Sequence, residues 1–315
     1  MRRCGSPPCC GRISTKMCCA TQSTPSRGGS GAMAAVEPVV AASGGSNLKS
    51  RVVVALFLGV VAIADIWIGG PAFTLMIAAG VGLVLWEWGA MHGTPLGWRV
   101  AGLVALAGAS VLAHLRQPLP ALILLLSAIL ILLALSILMR TGGKRWISTG
   151  LAYAGLPAVA LIWLRQQPDG FALVMWTMGL VWATDILAYF AGRAIGGPKI
   201  WPAVSPNKTW AGLAGGMTGA ALFSMLFAHY AGWPQALPLM ALLGAGLAVV
   251  AQAGDFFESW LKRRAGVKDS GKLLPGHGGI MDRVDGLVPV ACAVALWVSL
   301  QQPAEYVMAM TERLA

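Results

Sequence analysis

The residues best suited to chemistry lie between residues 255 and 285. This segment holds five acids, six Lys or Arg side chains and one histidine, whereas only 11% of the 315-residue chain is charged. Charged groups beside membrane-spanning sequence are costly and usually functional. Carboxylates suit a hard divalent cation, and basic groups suit phosphates. We therefore predict a site for a divalent metal and a nucleoside triphosphate at the cytoplasmic face of a membrane.

The segment opens with a cation-binding pattern. Two acids, a hydroxyl and an amine recur every three or four residues and so share one face of a helix: Asp255, Glu258, Ser259 and Lys262. The alternative is a helix end with snorkelling charges. It suits Lys262 and the two arginines that follow, but not Asp255, whose short side chain lies about two turns inside the helix.

The segment closes with a glycine-rich turn and two more acids. Glycines flank His277 and let the backbone approach a phosphate, while His277 can donate to it. Asp282 and Asp285 are three residues apart at the start of the next helix. Asp255 and Asp282, from adjacent helix ends, can supply the one or two carboxylates that Mg²⁺ takes beside a nucleotide. Alternatively, Asp282 and Asp285 only cap a helix N-terminus.

A second polar loop, residues 196–212, ends where another helix is predicted to start. Its last residues include a run suited to binding phosphate at a helix N-terminus: Ser205, Asn207, Lys208 and Thr209. An ordinary helix cap explains the same residues, and the loop lacks the Walker pattern.

Three further acids stand alone in apolar sequence. Asp185 lies two to three turns from the inner end of its predicted span, and Tyr189 can share its face. It is either a site residue or a structural partner of a basic group. For Asp65 and Glu87 we predict structural roles.

These residues must be positioned by membrane helices, because 57% of the chain is hydrophobic and a soluble domain has roughly 25% charged residues. A spanning helix needs about 20 mostly apolar residues. We predict an all-α, polytopic membrane protein with about nine spans: 52–69, 71–91, 99–115, 119–139, 147–164, 171–194, 209–231, 236–262 and 286–301.

The basic residues predict the orientation of these spans. With the N-terminus in the cytoplasm, 15 of the 18 Lys and Arg residues from Met33 onward lie on the cytoplasmic side. This puts the loops 195–208 and 263–285 inside the cell, at the inner membrane. Because most of the basic residues lie in short loops between apolar runs, where membrane topology places them, the net charge of +11 does not indicate nucleic-acid binding.

The first 48 residues are rich in Gly, Ser, Pro and Cys and are predicted to be a disordered tail. Met33 begins a plausible shorter chain, so we expect the first 32 residues to be an over-extended start. Five of the six cysteines fall in the first nineteen residues without the histidine partners or paired spacing of a metal site.

The motifs together carry a family resemblance. Residues 259–285 resemble the signature of phosphatidate cytidylyltransferases (CDP-diacylglycerol synthases) at all 27 positions, in the sequence S-x-L-K-R, K-D-x-G, L-P-x-H-G-G-I and D-R-V-D. The likeness extends to Asp185–Arg193, Ser205–Trp210 and Gln252–Ser259, and covers roughly residues 49–302. Family members often carry Glu where this chain has Ala211, which weakens any essential role for an acid there.

The resemblance implies transfer of CMP from CTP to phosphatidate, with Mg²⁺ at Asp255 and Asp282. A homodimer is implied as well, and a second, monovalent cation is left open. We place the catalytic part of domain 49–315 at about 180–290. The predicted catalytic residues are Asp255, Asp282, Lys262, His277 and Asp285. The predicted substrate-binding residues are Ser205, Asn207, Lys208, Thr209, Ser259, Arg263, Lys268, Asp269, Gly278, Gly279, Arg283, Asp185 and Tyr189.

Three alternative functions differ in product or pattern. A lipid-alcohol kinase that uses CTP would yield CDP instead of pyrophosphate. A transporter would show related halves with broken helices, but the charged motifs here crowd into the last 130 or so residues. A CDP-alcohol phosphotransferase would carry the pattern D-G-x-x-A-R…G-x-x-x-D-x-x-x-D, which is absent.

Overall fold

The computed structural model describes residues 59–139, 145–233, 237–271 and 279–301. The predicted tail, residues 1–48, lies outside these ranges. Every regular element within them is helical, apart from an isolated antiparallel bridge between Lys199 and Thr209. The helices, in chain order, are α1 (Gly59–Ile68), α2 (Gly70–Met91), α3 (Leu96–His114), α4 (Pro118–Leu138), α5 (Arg145–Arg165), α6 (Gly170–Ala194), α7 (Trp210–Ala231), α8 (Leu237–Arg264), α9 (Met281–Val284) and α10 (Leu287–Gln301).

The all-helical membrane fold is confirmed. Seven helices of the described residues, α2 to α8, are long and apolar enough to cross a membrane. Each begins and ends within about three residues of a predicted span, since Pro and Gly mark the breaks. The other two predicted spans overlap the shorter apolar helices α1 and α10. The count of nine spans and their orientation stay predictions.

Glycines allow the close packing of α6, α7 and α8, the three helices that carry most of the site. A Cβ on Gly216 of α7 would lie 3.1 Å from Thr184 Cγ2 of α6. On the other side of α7, Gly244 of α8 packs against the Ala220 carbonyl and the Ser224 hydroxyl. Small residues let membrane helices approach until their backbones nearly touch. The ends of these helices are therefore held in a fixed relation.

Two buried apolar clusters divide the bundle. One joins α6, α7, α8 and α10 to parts of α1, α2 and α5. The other packs α2 to α5 together and receives Leu261 from α8 and Met281 from α9. Both of these residues are fully buried. The N-terminal helices thus support the backbone at both ends of the charged segment 262–281.

Gly254 brings α8 against the start of α10. A Cβ at this position would lie 2.7 Å from Pro289 Cγ and would collide with the Asp285 carbonyl. Only glycine permits this approach without a shift of one of the two backbones. Because Asp255 follows directly, the glycine also brings its carboxylate close to the α9–α10 junction.

Candidate active site

Two lysine–carboxylate groups lie at the end of the bundle where α8 finishes. We call the first the Lys208 pair: Lys208, from the loop before α7, forms an ion pair with Asp255 of α8. The two side chains keep 23% and 15% of their surface exposed. The Lys208 ammonium also lies 5.2 Å from the ring centroid of Phe256. The loop 195–208 and the segment 255–285 therefore meet at this ion pair.

The second group, which we call the Lys262 network, contains Lys262, Glu258 and Asp282. The Lys262 Nζ lies 2.8 Å from Glu258 Oε2 and 2.8 Å from Asp282 Oδ1. Glu258 is only 2% exposed, and its second oxygen, Oε1, is buried with no hydrogen-bond donor in the described part of the chain. A buried carboxylate with an open oxygen is suited to a further cationic ligand.

Asp282 is fixed by backbone amides as well as by Lys262. Its Oδ2 accepts hydrogen bonds from the amides of Gly279, at 2.9 Å, and Ser270, at 3.2 Å. Burial would raise the pKa of Asp282, but interactions with Glu258, Lys262 and the Gly279 amide outweigh burial and lower it far below its ordinary value. The surroundings of Asp282 therefore favour its ionised form.

Asp285 has the opposite electrostatic environment. Burial raises its pKa, and the neighbouring charge of Asp255 raises it further. Its own carboxylate accepts a hydrogen bond from the Gly286 amide at 2.9 Å. Asp185 of α6 also interacts electrostatically with Asp255 and Lys208. Lys208 is thus the positive charge that faces a group of acids drawn from α6, α8 and the α9–α10 junction.

Tyr153 of α5 was not predicted from the sequence. Its hydroxyl is buried without a hydrogen-bond partner in the described residues. The phenol lies within electrostatic reach of four acids of the site, Asp285, Glu258, Asp255 and Asp282. A single tyrosine in an apolar run carries no sequence signal for such a position. Only the packing of α5 against α8 and α10 brings it there.

Glu87 of α2 also belongs to this region. It is 4% exposed and accepts hydrogen bonds from the Ser270 hydroxyl and from the amides of Ile280 and Met281. Glu87, for which we predicted a structural role, thus bonds to partners that lie nearly 200 residues further along the chain. The one local signal, an acid between Trp86 and Trp88 at a helix end, does not identify them.

The chain is similar to a known protein family. The model of the cytidylyltransferase family matches residues 49–301.

The chain belongs to the cytidylyltransferase family.

Curated relatives of this cytidylyltransferase are named phosphatidate cytidylyltransferases. The protein of Brucella melitensis biotype 1 is 42% identical over 80% of this chain and 93% of its own length. That of Pseudomonas aeruginosa is 40% identical over 80% of this chain and 98% of its own length. The Bacillus subtilis relative is 37% identical over 52% of this chain. The predicted family and the prediction of a nucleotidyltransferase are confirmed.

The other predicted site residues differ in their environment. In this cytidylyltransferase Thr209 is buried and is an ordinary N-cap of α7. Its hydroxyl accepts a hydrogen bond from the Gly212 amide at 3.0 Å. Tyr189 is 59% exposed and accepts a long hydrogen bond from Arg193. Ser205 and Ser259 are half-buried, and the following are exposed: Asn207, Arg263, Lys268, Asp269, Arg283 and Asp185. His277 and Gly278 lie outside the described residues.

The fit of the site to Mg²⁺ rests on its oxygen donors. Across residues 59–139, 145–233, 237–271 and 279–301, no three His, Cys, Asp or Glu side chains form a ready-made metal cluster. A nucleotide-bound Mg²⁺ needs only one or two carboxylates, because phosphates and water complete its shell. Asp255 and Asp282 are carboxylates of the required kind at the same end of the bundle, and Glu258 has an oxygen without a hydrogen-bond donor in the described residues. The residues therefore fit the ion.

Proposed function

We propose that this cytidylyltransferase is a phosphatidate cytidylyltransferase. In the reaction, an oxygen of the phosphatidate phosphate bonds to the α-phosphorus of CTP. The bond from that phosphorus to the β-phosphate oxygen breaks, so CDP-diacylglycerol and pyrophosphate are formed. The names of relatives that align over most of their length support this substrate pair.

One observation carries the proposal: two lysines and the three acids that pair with them lie at one end of an apolar helix bundle. Such a site can attract a triphosphate to its lysines while its carboxylates accept a cation. A site at the end of membrane helices also suits a substrate whose acyl chains stay in the bilayer. A soluble nucleotide and a lipid can therefore meet there.

The main barrier is repulsion between two polyanions, since the lipid phosphate is already ionised and needs no general base. Lys208 and Lys262 each hold a positive charge beside carboxylates, ready to contact phosphate oxygens. Fixed charges of this kind stabilise the charge that develops on the leaving group. Arg263, Lys268 and Arg283 are the further basic residues that we assign to the CTP and lipid phosphates.

We propose Asp255 and Asp282 as the ligands of Mg²⁺. When bound, the ion neutralises the triphosphate and the departing pyrophosphate. Asp282 is suited to this role because its pKa is held low and its position is fixed by two amides. Glu258 and Asp285 are additional oxygen donors. We also propose that a monovalent cation binds beside them.

The experiment is an assay of purified protein in micelles that contain phosphatidate and CTP labelled at the α-phosphate. We expect label in lipid and release of pyrophosphate, both dependent on Mg²⁺. A second reaction, with label at the γ-phosphate, distinguishes cytidylyl transfer from the kinase alternative. A kinase would place that label in lipid and yield CDP. Label in lipid from γ-labelled CTP, or none from α-labelled CTP, would contradict the proposal.

We further propose nine spans, a cytoplasmic N-terminus, a homodimer and a site at the cytoplasmic face of the inner membrane. Cysteines introduced into a cysteine-free chain test the sidedness. Asp169→Cys, between α5 and α6, should react with an impermeant maleimide on intact cells. Ala203→Cys, in the loop before α7, should react only after permeabilisation. The reverse pattern would place the site outside.

A further inference from the structure

The carboxylate of Glu87 joins two parts of the chain that lie next to Asp282. Its Oε2 accepts hydrogen bonds from the Ser270 hydroxyl, at 3.2 Å, and from the Met281 amide, at 3.1 Å. Its Oε1 accepts the Ile280 amide at 3.1 Å. Glu87 is 4% exposed, and all three of its donors come from sequence positions 183 to 194 residues away. One side chain of α2 thus holds both Ser270 and the start of α9.

Two glycines leave the space that this carboxylate occupies. A Cβ on Gly279 would lie 2.5 Å from Glu87 Oε2 and 2.8 Å from Oε1. A Cβ on Gly271 would lie 2.8 Å from Glu87 Cδ. Contacts under 3 Å require something to move, so the backbone at both positions packs directly on the carboxylate. Glu87 therefore has a site shaped for it.

The same backbone holds Asp282. Ser270 donates its hydroxyl to Glu87 and its amide to Asp282. The Gly279 amide donates to Asp282, while the next amide, of Ile280, donates to Glu87. The two carboxylates thus share neighbouring donors on both sides. Any displacement of Glu87 moves the groups that orient Asp282.

We propose that Glu87 is a positioning residue that sets the orientation of the Asp282 carboxylate. The inference rests on the proposed function, in which Asp282 acts in nucleotidyl transfer. We assign Glu87 no contact with substrate or metal. It acts through Ser270, Gly279 and the first amides of α9, much as outer residues orient the ligands of a metal.

Glu87→Gln is the informative substitution because it preserves shape. Both oxygens of Glu87 accept backbone amides, so a glutamine must turn its NH₂ group toward one N–H donor. At least one amide then loses its partner and the backbone shifts. Leu125→Ala is the matched control for simple destabilisation. Leu125 is 1% exposed in α4 and belongs to the apolar cluster that also contains Trp88 and Met281.

The first measurement is steady-state kinetics of the full-length protein at a temperature well below the unfolding midpoints. For Glu87→Gln we expect kcat to fall by about 10- to 100-fold, with KM for CTP and phosphatidate changed by less than about threefold. Equal losses in kcat and kcat/KM are typical of an interaction that matters in the transition state. Leu125→Ala should lower the midpoint and leave kcat at the wild-type value.

The second measurement is hydrogen exchange without substrate, which does not depend on what the enzyme catalyses. Glu87→Gln should raise exchange in peptides that cover residues 266–271 and 279–284, with α3 and α4 unchanged. The proposal is overturned if exchange rises throughout the protein or if kcat of Glu87→Gln equals that of Leu125→Ala. If wild-type protein makes no CDP-diacylglycerol, the proposed function fails, while the exchange data still decide whether Glu87 orders this backbone.

Discussion

The Lys208 pair and the Lys262 network lie at the same end of the bundle but are held differently. Lys208 comes from a loop and has one carboxylate partner, Asp255, and both side chains are partly exposed. Lys262 sits on the rigid last turns of α8 between two carboxylates, one of them 2% exposed. We infer that substrates can displace the single ion pair readily, whereas the network is a fixed frame.

The largest effect is expected from loss of the fixed carboxylate. Asp282→Asn removes a charge that is held by Lys262 and two amides, so we expect kcat to fall by about 10²- to 10³-fold. The matched control is Asp169→Asn, at the opposite end of α6, which should leave activity unchanged. Turnover of Asp282→Asn near the wild-type rate would show that the Lys262 network has no part in catalysis.

The second-largest difference is expected in the unfolding free energy that each of the two groups contributes. Lys262→Met leaves Glu258 buried without a counter-charge, and breaking such a buried pair costs about 3–5 kcal/mol of unfolding free energy. Lys208→Met should cost less, because water can reach both Lys208 and Asp255. Denaturant unfolding in micelles measures both variants. Equal losses would mean that the two groups are held with equal strength.

A third prediction concerns the glycine that brings Asp255 close to α10. Gly254→Ala should destabilise by about 1–3 kcal/mol through overpacking against Pro289. Gly246→Ala, on the same helix with no atom within 4 Å of its added Cβ, is the control. We expect it to leave thermal stability unchanged or slightly raised. A neutral Gly254→Ala would show that the contact between α8 and α10 is loose.

The smallest effect is expected at the cap beside Lys208. Thr209→Ala removes the hydrogen bond from the Gly212 amide, and losing such a cap costs about 1 kcal/mol. Thr218→Ala, an exposed threonine on the same helix, should change the unfolding midpoint less. If Thr209→Ala instead abolished turnover at unchanged stability, the threonine would contact substrate and the cap would be secondary.

Much of the fold could be predicted because membrane helices are specified locally. A run of apolar residues between Gly and Pro breaks determines where a helix begins and ends, so α2 to α8 fall close to the predicted spans. The charged segment was recognisable for the same reason, since Glu258 and Lys262 are one turn apart and meet as predicted. The partners from other elements were not predicted: Asp255 pairs with Lys208, and Lys262 pairs with Asp282 as well as Glu258.

The sequence by itself determined the family, the membrane character and the acids and lysines of the site, because these depend on composition and short spacing. Only the tertiary structure decided that Lys208 faces Asp255, that Tyr153 lies among the acids and that Glu87 holds the backbone around Asp282. These contacts join residues from 47 to nearly 200 positions apart. The periodicity of the sequence does not indicate such pairs, since they form only when the helices pack.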